Sequence, residues 1–190
     1  MHMIHVSVAA AVLVVGTAIS ASAAVTSGPQ PGEKVGAFKV TKVTGNPDDG
    51  VADGKTLCYR CRMGQRPVVM IFARTPDAGL AKLIEKLEEE IEEHPDSKLT
   101  AFVNMIGNDP EKLKTQAAAF AAEHKIKRVA LVVPEDAANG PPDFKIAPEA
   151  DVTVVCYKEG TVQANHALAK DALCCETIDA IVEDSEKLVE

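Results

Sequence analysis

A continuous apolar run, Pro67-Val68-Val69-Met70-Ile71-Phe72-Ala73, constrains this chain more than any other segment. It has no polar alternation, so it is expected as a strand buried on both faces. Thr75-Pro76-Asp77 follows at once, with Thr75 a candidate N-cap, Pro76 in the first helical position and an acid in the first turn. Leu80, Leu83, Ile84, Leu87 and Ile91 then recur at helical spacing, predicting a helix that runs to about His94. Glu88, Glu89, Glu90, Glu92 and Glu93 crowd its other side and read as a solvated face.

The same logic extends along the chain. Leu99 to Ile106 and Val129 to Val133 are further strand candidates. Between them, Asn108-Asp109-Pro110 announces a helix with Leu113, Ala117, Phe120 and Ala121 facing inward. Val152 to Tyr157 and Thr161 to His166 flank Lys158-Glu159-Gly160, a hairpin signal. Val35 to Val43 shows part of a strand alternation, and a last helix starts near Cys175. Strands alternating with helices require right-handed crossovers and a largely parallel sheet, so the class is α/β.

None of the Lys, Arg, Asp or Glu residues precedes Glu33. The apolar stretch Ile4–Ile19 and the small residues after it resemble a secretory signal with an A-x-A cleavage site. An uncleaved anchor is the alternative, because about 18 apolar residues can just span a bilayer. The expected organisation is a signal peptide over 1–23, a linker over 24–34 and one domain over 35–190. The mature protein would then be secreted or periplasmic, with no stable membrane insertion, where disulfides persist. The formal net charge of −8 argues against nucleic acid, which needs a basic footprint.

Three segments carry a family resemblance: Val68 to Thr75, the helix start Asn108-Asp109-Pro110-Glu111, and Tyr157 to Val162. In order and spacing the chain resembles the thioredoxin-like superfamily, near its exported thiol–disulfide oxidoreductases and peroxiredoxin-like proteins. The resemblance implies a central mixed sheet with flanking helices and an extra N-terminal β-hairpin. It also implies a catalytic cysteine at the start of the first long helix, where helix N–H groups favour a thiolate. That position here reads Thr75-Pro76-Asp77-Ala78, without a thiol. The family's cis-proline before the hairpin is replaced by Ala150-Asp151.

Five cysteines remain, an odd number that leaves at least one unpaired within a monomer. Cys58-Tyr59-Arg60-Cys61 is a CxxC placed before the core strand, with Arg60, Arg62 and Arg66 around it; positive charge lowers a thiol pKa. Cys58 and Cys61 are therefore the candidate catalytic pair, acting with an unidentified redox partner protein. Structural disulfide bonding and half of a metal clip are the alternatives. Cys174-Cys175 opens the last helix. A bond between them is geometrically poor, since adjacent Cα atoms lie about 3.8 Å apart and disulfides want roughly 4.4–6.8 Å; one buried and one surface thiol is the simpler expectation. Across a strand of roughly 23 Å, these thiols are expected at the opposite end of the sheet from Cys58 and Cys61. Cys156 is expected as an inert core thiol nearer the CxxC. His166 with Cys174 or Cys175 is a weaker soft-metal candidate, otherwise a solvated strand end. Arg74 is a candidate anion ligand at the helix start. No cofactor motif is legible. The leading function is thiol–disulfide exchange through the displaced CxxC, and the competing one a non-catalytic binding scaffold.

Overall fold

A computed structural model describes residues 25–190, so the expected signal peptide lies outside the described residues. The elements follow in the order β1 (Val40–Thr44), β2 (Thr56–Leu57), α1 (Tyr59–Met63), β3 (Val68–Ala73), α2 (Ala78–Glu93), β4 (Thr100–Met105), α3 (Pro110–His124), β5 (Ala130–Pro134), β6 (Val152–Lys158), β7 (Thr161–Leu168) and α4 (Cys175–Lys187). They build one seven-stranded mixed sheet in the order β2-β1-β5-β4-β3-β6-β7. β3, β4 and β5 are parallel, as their helical crossovers demand. The β1–β2 hairpin and the β6–β7 hairpin add antiparallel strands on the two flanks.

Each residue of β3 is wholly buried, because the strand sits between β4 and β6 and is covered on both faces. Val69, Ile71 and Ala73 face the long helices, against Leu80, Leu83 and Leu87 of α2, Leu113 and Phe120 of α3, and Ile178 and Ile181 of α4. Val68, Met70 and Phe72 face the other way, toward Tyr59, Phe102, Phe144 and Tyr157. Each Val, Leu, Ile, Phe or Met among them contributes about 1.5–3 kcal/mol on burial. The helices are thus gathered on one face, and α1 with the N-terminal segment covers the other.

Helix α2 starts later than Thr75-Pro76 predicts. The Thr75 hydroxyl is committed to Asp151 Oδ1 at 2.8 Å, and Asp77 is the N-cap, accepting the Leu80 N–H at 2.8 Å. Asp109 caps α3 with Pro110 in the first helical position, as expected. The Glu-rich side of α2 is not uniformly solvated. Glu88 Oε1 accepts the backbone N–H groups of Lys127 at 2.7 Å and Val129 at 3.2 Å, with Arg128 between them, holding the lead into β5. Glu90 is buried, and burial raises its pKa.

The expected strand at Val35–Val43 is shorter, beginning at Val40. Val35 instead donates its N–H to Gly160 O at 2.9 Å, drawing the preceding backbone to the β6–β7 turn. Residues 25–34 lie on that hairpin as well: Ser27 is buried, its Oγ 2.7 Å from Thr153 Oγ1, and Asn165 Nδ2 donates to Ser27 O and Pro29 O at 3.0 Å. The turn itself places Glu159 and Gly160 at positive φ, 56° and 69°, matching the twist of the two strands. No helix among the described residues is long and apolar enough to cross a membrane.

Candidate functional site

The CxxC forms a disulfide between Cys58 and Cys61, with Cα atoms 5.2 Å apart. Cys58 is the extended N-cap of α1, and its Sγ accepts the Cys61 N–H at 3.1 Å. The short helix turns Cys61 out to solvent and leaves Cys58 half-buried.

Tyr59, inside the motif, points the other way. It is 1% exposed and stacks on Phe102 with ring centroids 5.3 Å apart. Its hydroxyl donates to Asp49 Oδ2. Burial first, and then the Asp49 carboxylate, push the phenol pKa up, so it stays protonated. Asp49 Oδ1 in turn accepts Lys42 Nζ at 2.9 Å and the Val51 N–H at 2.7 Å. Lys42 is 1% exposed and also donates to Asn46 O at 2.8 Å and Val51 O at 2.9 Å. A buried charge survives only when paired and hydrogen-bonded, and this one is both. The β1–β2 hairpin therefore supplies the floor under the CxxC. Arg62 reinforces it, donating through Nε and Nη2 to Asp49 O at 3.1 and 2.6 Å. Arg60 Nε donates to Val35 O at 3.0 Å, and its guanidinium lies over Gly160, where a side chain would collide with it.

The opposite end of β3 is the position where the resemblance implies a catalytic thiol. There Thr75 is bonded to Asp151, and the Arg74 guanidinium is spent on Ala150 O (3.0 Å), Ala138 O (3.2 Å), Asn139 Oδ1 (3.1 Å) and Ala147 O (3.2 Å). Burial pulls its pKa below the usual range. Arg74 thus ties loops together, and the suggested anion site there is not borne out.

Cys174 and Cys175 lie near this end, since Leu173 O is 2.9 Å from where a Cβ on Gly79 would sit, in the first turn of α2. Both are exposed and unbonded, against the expectation of one buried thiol. Cys174 is the N-cap of α4 in a reciprocal capping box with Thr177. The Thr177 N–H, followed by its hydroxyl, lowers the Cys174 pKa. His166 is engaged otherwise, its Nε2 2.8 Å from Asp184 Oδ2. Among the described residues no three His, Cys, Asp or Glu side chains gather as metal ligands. Cys156 is buried opposite Val69, and loss of hydration pushes its thiol up to about 12, so it is inert at neutral pH.

The structure thus joins Cys58 to Cys61 and leaves the other three cysteines unbonded. Sequence reasoning missed Lys42, Asp49 and Tyr59. The available signal was Lys42 sharing a face with buried Val40 in a strand, close to the acid-bearing turn Asp48-Asp49-Gly50.

No family model matches the chain, and no curated protein matches it. Solved structures do. A candidate thiol:disulfide interchange protein DsbE from Chlorobium tepidum superposes with a TM-score of 0.64 at 9% identity, covering 85% of this chain and 99% of that one. A candidate protein disulfide isomerase from Bacteroides thetaiotaomicron gives 0.59 at 16% identity, over 85% and 95% of the two chains. A secreted Mycobacterium tuberculosis disulfide oxidoreductase homologous to E. coli DsbE gives 0.55 at 13% identity, over 79% and 95%. The chain has the thioredoxin-like fold.

Proposed function

We propose that this protein is an exported thiol–disulfide exchange protein that works through Cys58 and Cys61. The observation that carries the reading is a disulfide held at the surface by a rigid, buried base: Cys61 is exposed while Tyr59 between the two cysteines is locked on Asp49. In this reading a partner thiolate attacks the exposed Cys61 Sγ, and the Cys58 sulfur leaves as a thiolate. The Cys61 N–H at 3.1 Å and the nearby arginines favour that leaving group. A second partner thiol then resolves the mixed disulfide, so the partner dithiol is oxidised and Cys58–Cys61 is reduced. The partner is a redox protein, and a secreted or periplasmic setting is consistent with the secreted neighbour from Mycobacterium tuberculosis.

A second reading is a non-catalytic binding scaffold whose disulfide merely pins the loop before β3. The thiol-free, fully bonded start of α2 favours it. A redox titration with peptide mapping separates the two. Reversible equilibration of Cys58–Cys61 between about −270 and −120 mV is the expected result, whereas a potential below about −300 mV assigns the bond a structural role.

A further inference from the structure

From Gly54 to Pro76 the chain has five basic residues, Lys55, Arg60, Arg62, Arg66 and Arg74, and no acid, although its formal net charge is −8. The fold concentrates part of that excess along α1, the helix that carries Cys61, through Arg62 one residue beyond it. A cleft of about 700 Å³ flanks α1, bordered by Arg62, Arg66, Lys98 and Arg128 with Asp48 and Asp49. These charges do not cancel. Asp49 is already neutralised by Lys42 at 2.9 Å, and Arg128 is paired with Glu92 at 2.6 Å. Arg62 and Arg60 bond to main-chain carbonyls, which satisfies their geometry and leaves their charge unpaired. The Arg66 and Lys98 side chains are exposed and make no hydrogen bond or ion pair among the described residues. Asp48 is the exposed acid facing them.

We infer that this cleft receives an acidic segment of the redox partner, a stretch of Asp or Glu next to the partner's reactive dithiol. The inference rests on the exchange reading above and names its substrate class. Complementary charge raises the encounter rate and selects among partners even when it adds little to final affinity. The chemistry stays balanced: one partner thiolate forms a mixed disulfide and expels the other Cys58–Cys61 sulfur, the second partner thiol completes its own disulfide, and two electrons pass to this chain with the protons of two thiols.

The probes are synthetic dithiol peptides of one length, their cysteines flanked by Glu, by Ser or by Lys. Rates of Cys58–Cys61 reduction are followed for the full protein at low and high salt. The Glu peptide is expected to react about tenfold faster than the Ser peptide at low salt, and the Lys peptide slowest. That spread should vanish near 1 M salt, where the screening length is about 3 Å. Arg66→Glu with Lys98→Glu should invert the order. If this variant does not fold, the salt dependence of the unmodified protein still decides. Equal rates for all three peptides overturn the docking inference and leave exchange standing. Reduction by none of them removes both.

Discussion

At the entry to β3 a short helix holds a surface disulfide above a buried Lys42–Asp49–Tyr59 network; at its exit the first turn of α2 holds no sulfur. The two ends use their polar groups differently. At the exit, Arg74, Thr75 and Asp77 donate or accept within the fold, so little is left to perturb a substrate. At the entry, the buried partners sit below and the arginines above still carry unpaired charge toward solvent. The thioredoxin-like scaffold thus has its bonded, thiol-free junction and its surface disulfide at opposite ends of one strand.

The most drastic way to break the comparison is to remove the sulfur from the entry. Cys58→Ser with Cys61→Ser should reduce dithiol oxidation to the uncatalysed rate, while Cys174→Ser with Cys175→Ser leaves it unchanged, as read by loss of free thiols from a dithiol peptide. The opposite pattern would move the reactive centre to the exit end. Next in size is the floor of the entry. Asp49→Asn strands the Lys42 ammonium in the core and should cost about 3–5 kcal/mol in a urea titration. A loss below 1 kcal/mol would mean that water reaches Lys42 and that the floor is soft.

The exit should respond as ordinary helix capping. Asp77→Ala is expected to cost about 1 kcal/mol and to leave the Cys58–Cys61 potential where it was; a shifted potential would show that the two ends are coupled. The smallest effect concerns the thiol nearest the exit. Because the Thr177 N–H and hydroxyl lower the Cys174 pKa, more of it is thiolate at any given pH, and its alkylation by iodoacetamide should reach half-maximum below the pH of an unperturbed cysteine. Thr177→Val, which removes the hydroxyl and keeps the N–H, should move that midpoint part of the way back. Cys156 should stay unlabelled until the protein unfolds, as burial and a pKa of about 12 both require.

Much of the scaffold is legible in the amino-acid sequence alone. β3 announced itself by apolar continuity, α3 by Asp109-Pro110, the last hairpin by its turn, and the separation of Cys58–Cys61 from Cys174–Cys175 by strand length. These signals are local or follow from counting residues along a strand. The short α1 left no trace, because five residues are too few to show a period, and two-residue β2 entered only through the N-terminal hairpin that the resemblance implies. Thr75 reads as the cap of α2 because Pro76 follows it, yet Asp77 takes that place. The choice fell to Asp77 because Asp151, distant in sequence, claims the Thr75 hydroxyl.

The sequence by itself determined the order of the longer elements from β3 to α4, the α/β class and the absence of a thiol at the start of α2, because hydrophobic periodicity, capping chemistry and residue identity are written along the chain. Only the tertiary structure decided that Tyr59 anchors the CxxC on Asp49 and Lys42, that Glu88 ties α2 to the lead into β5, and that Arg66 and Lys98 share a cleft with Arg62 of α1. Those are pairings across space between groups with many possible partners. Burial selects among them, since a charge or donor taken out of water must find whichever partner the packed backbone brings within reach.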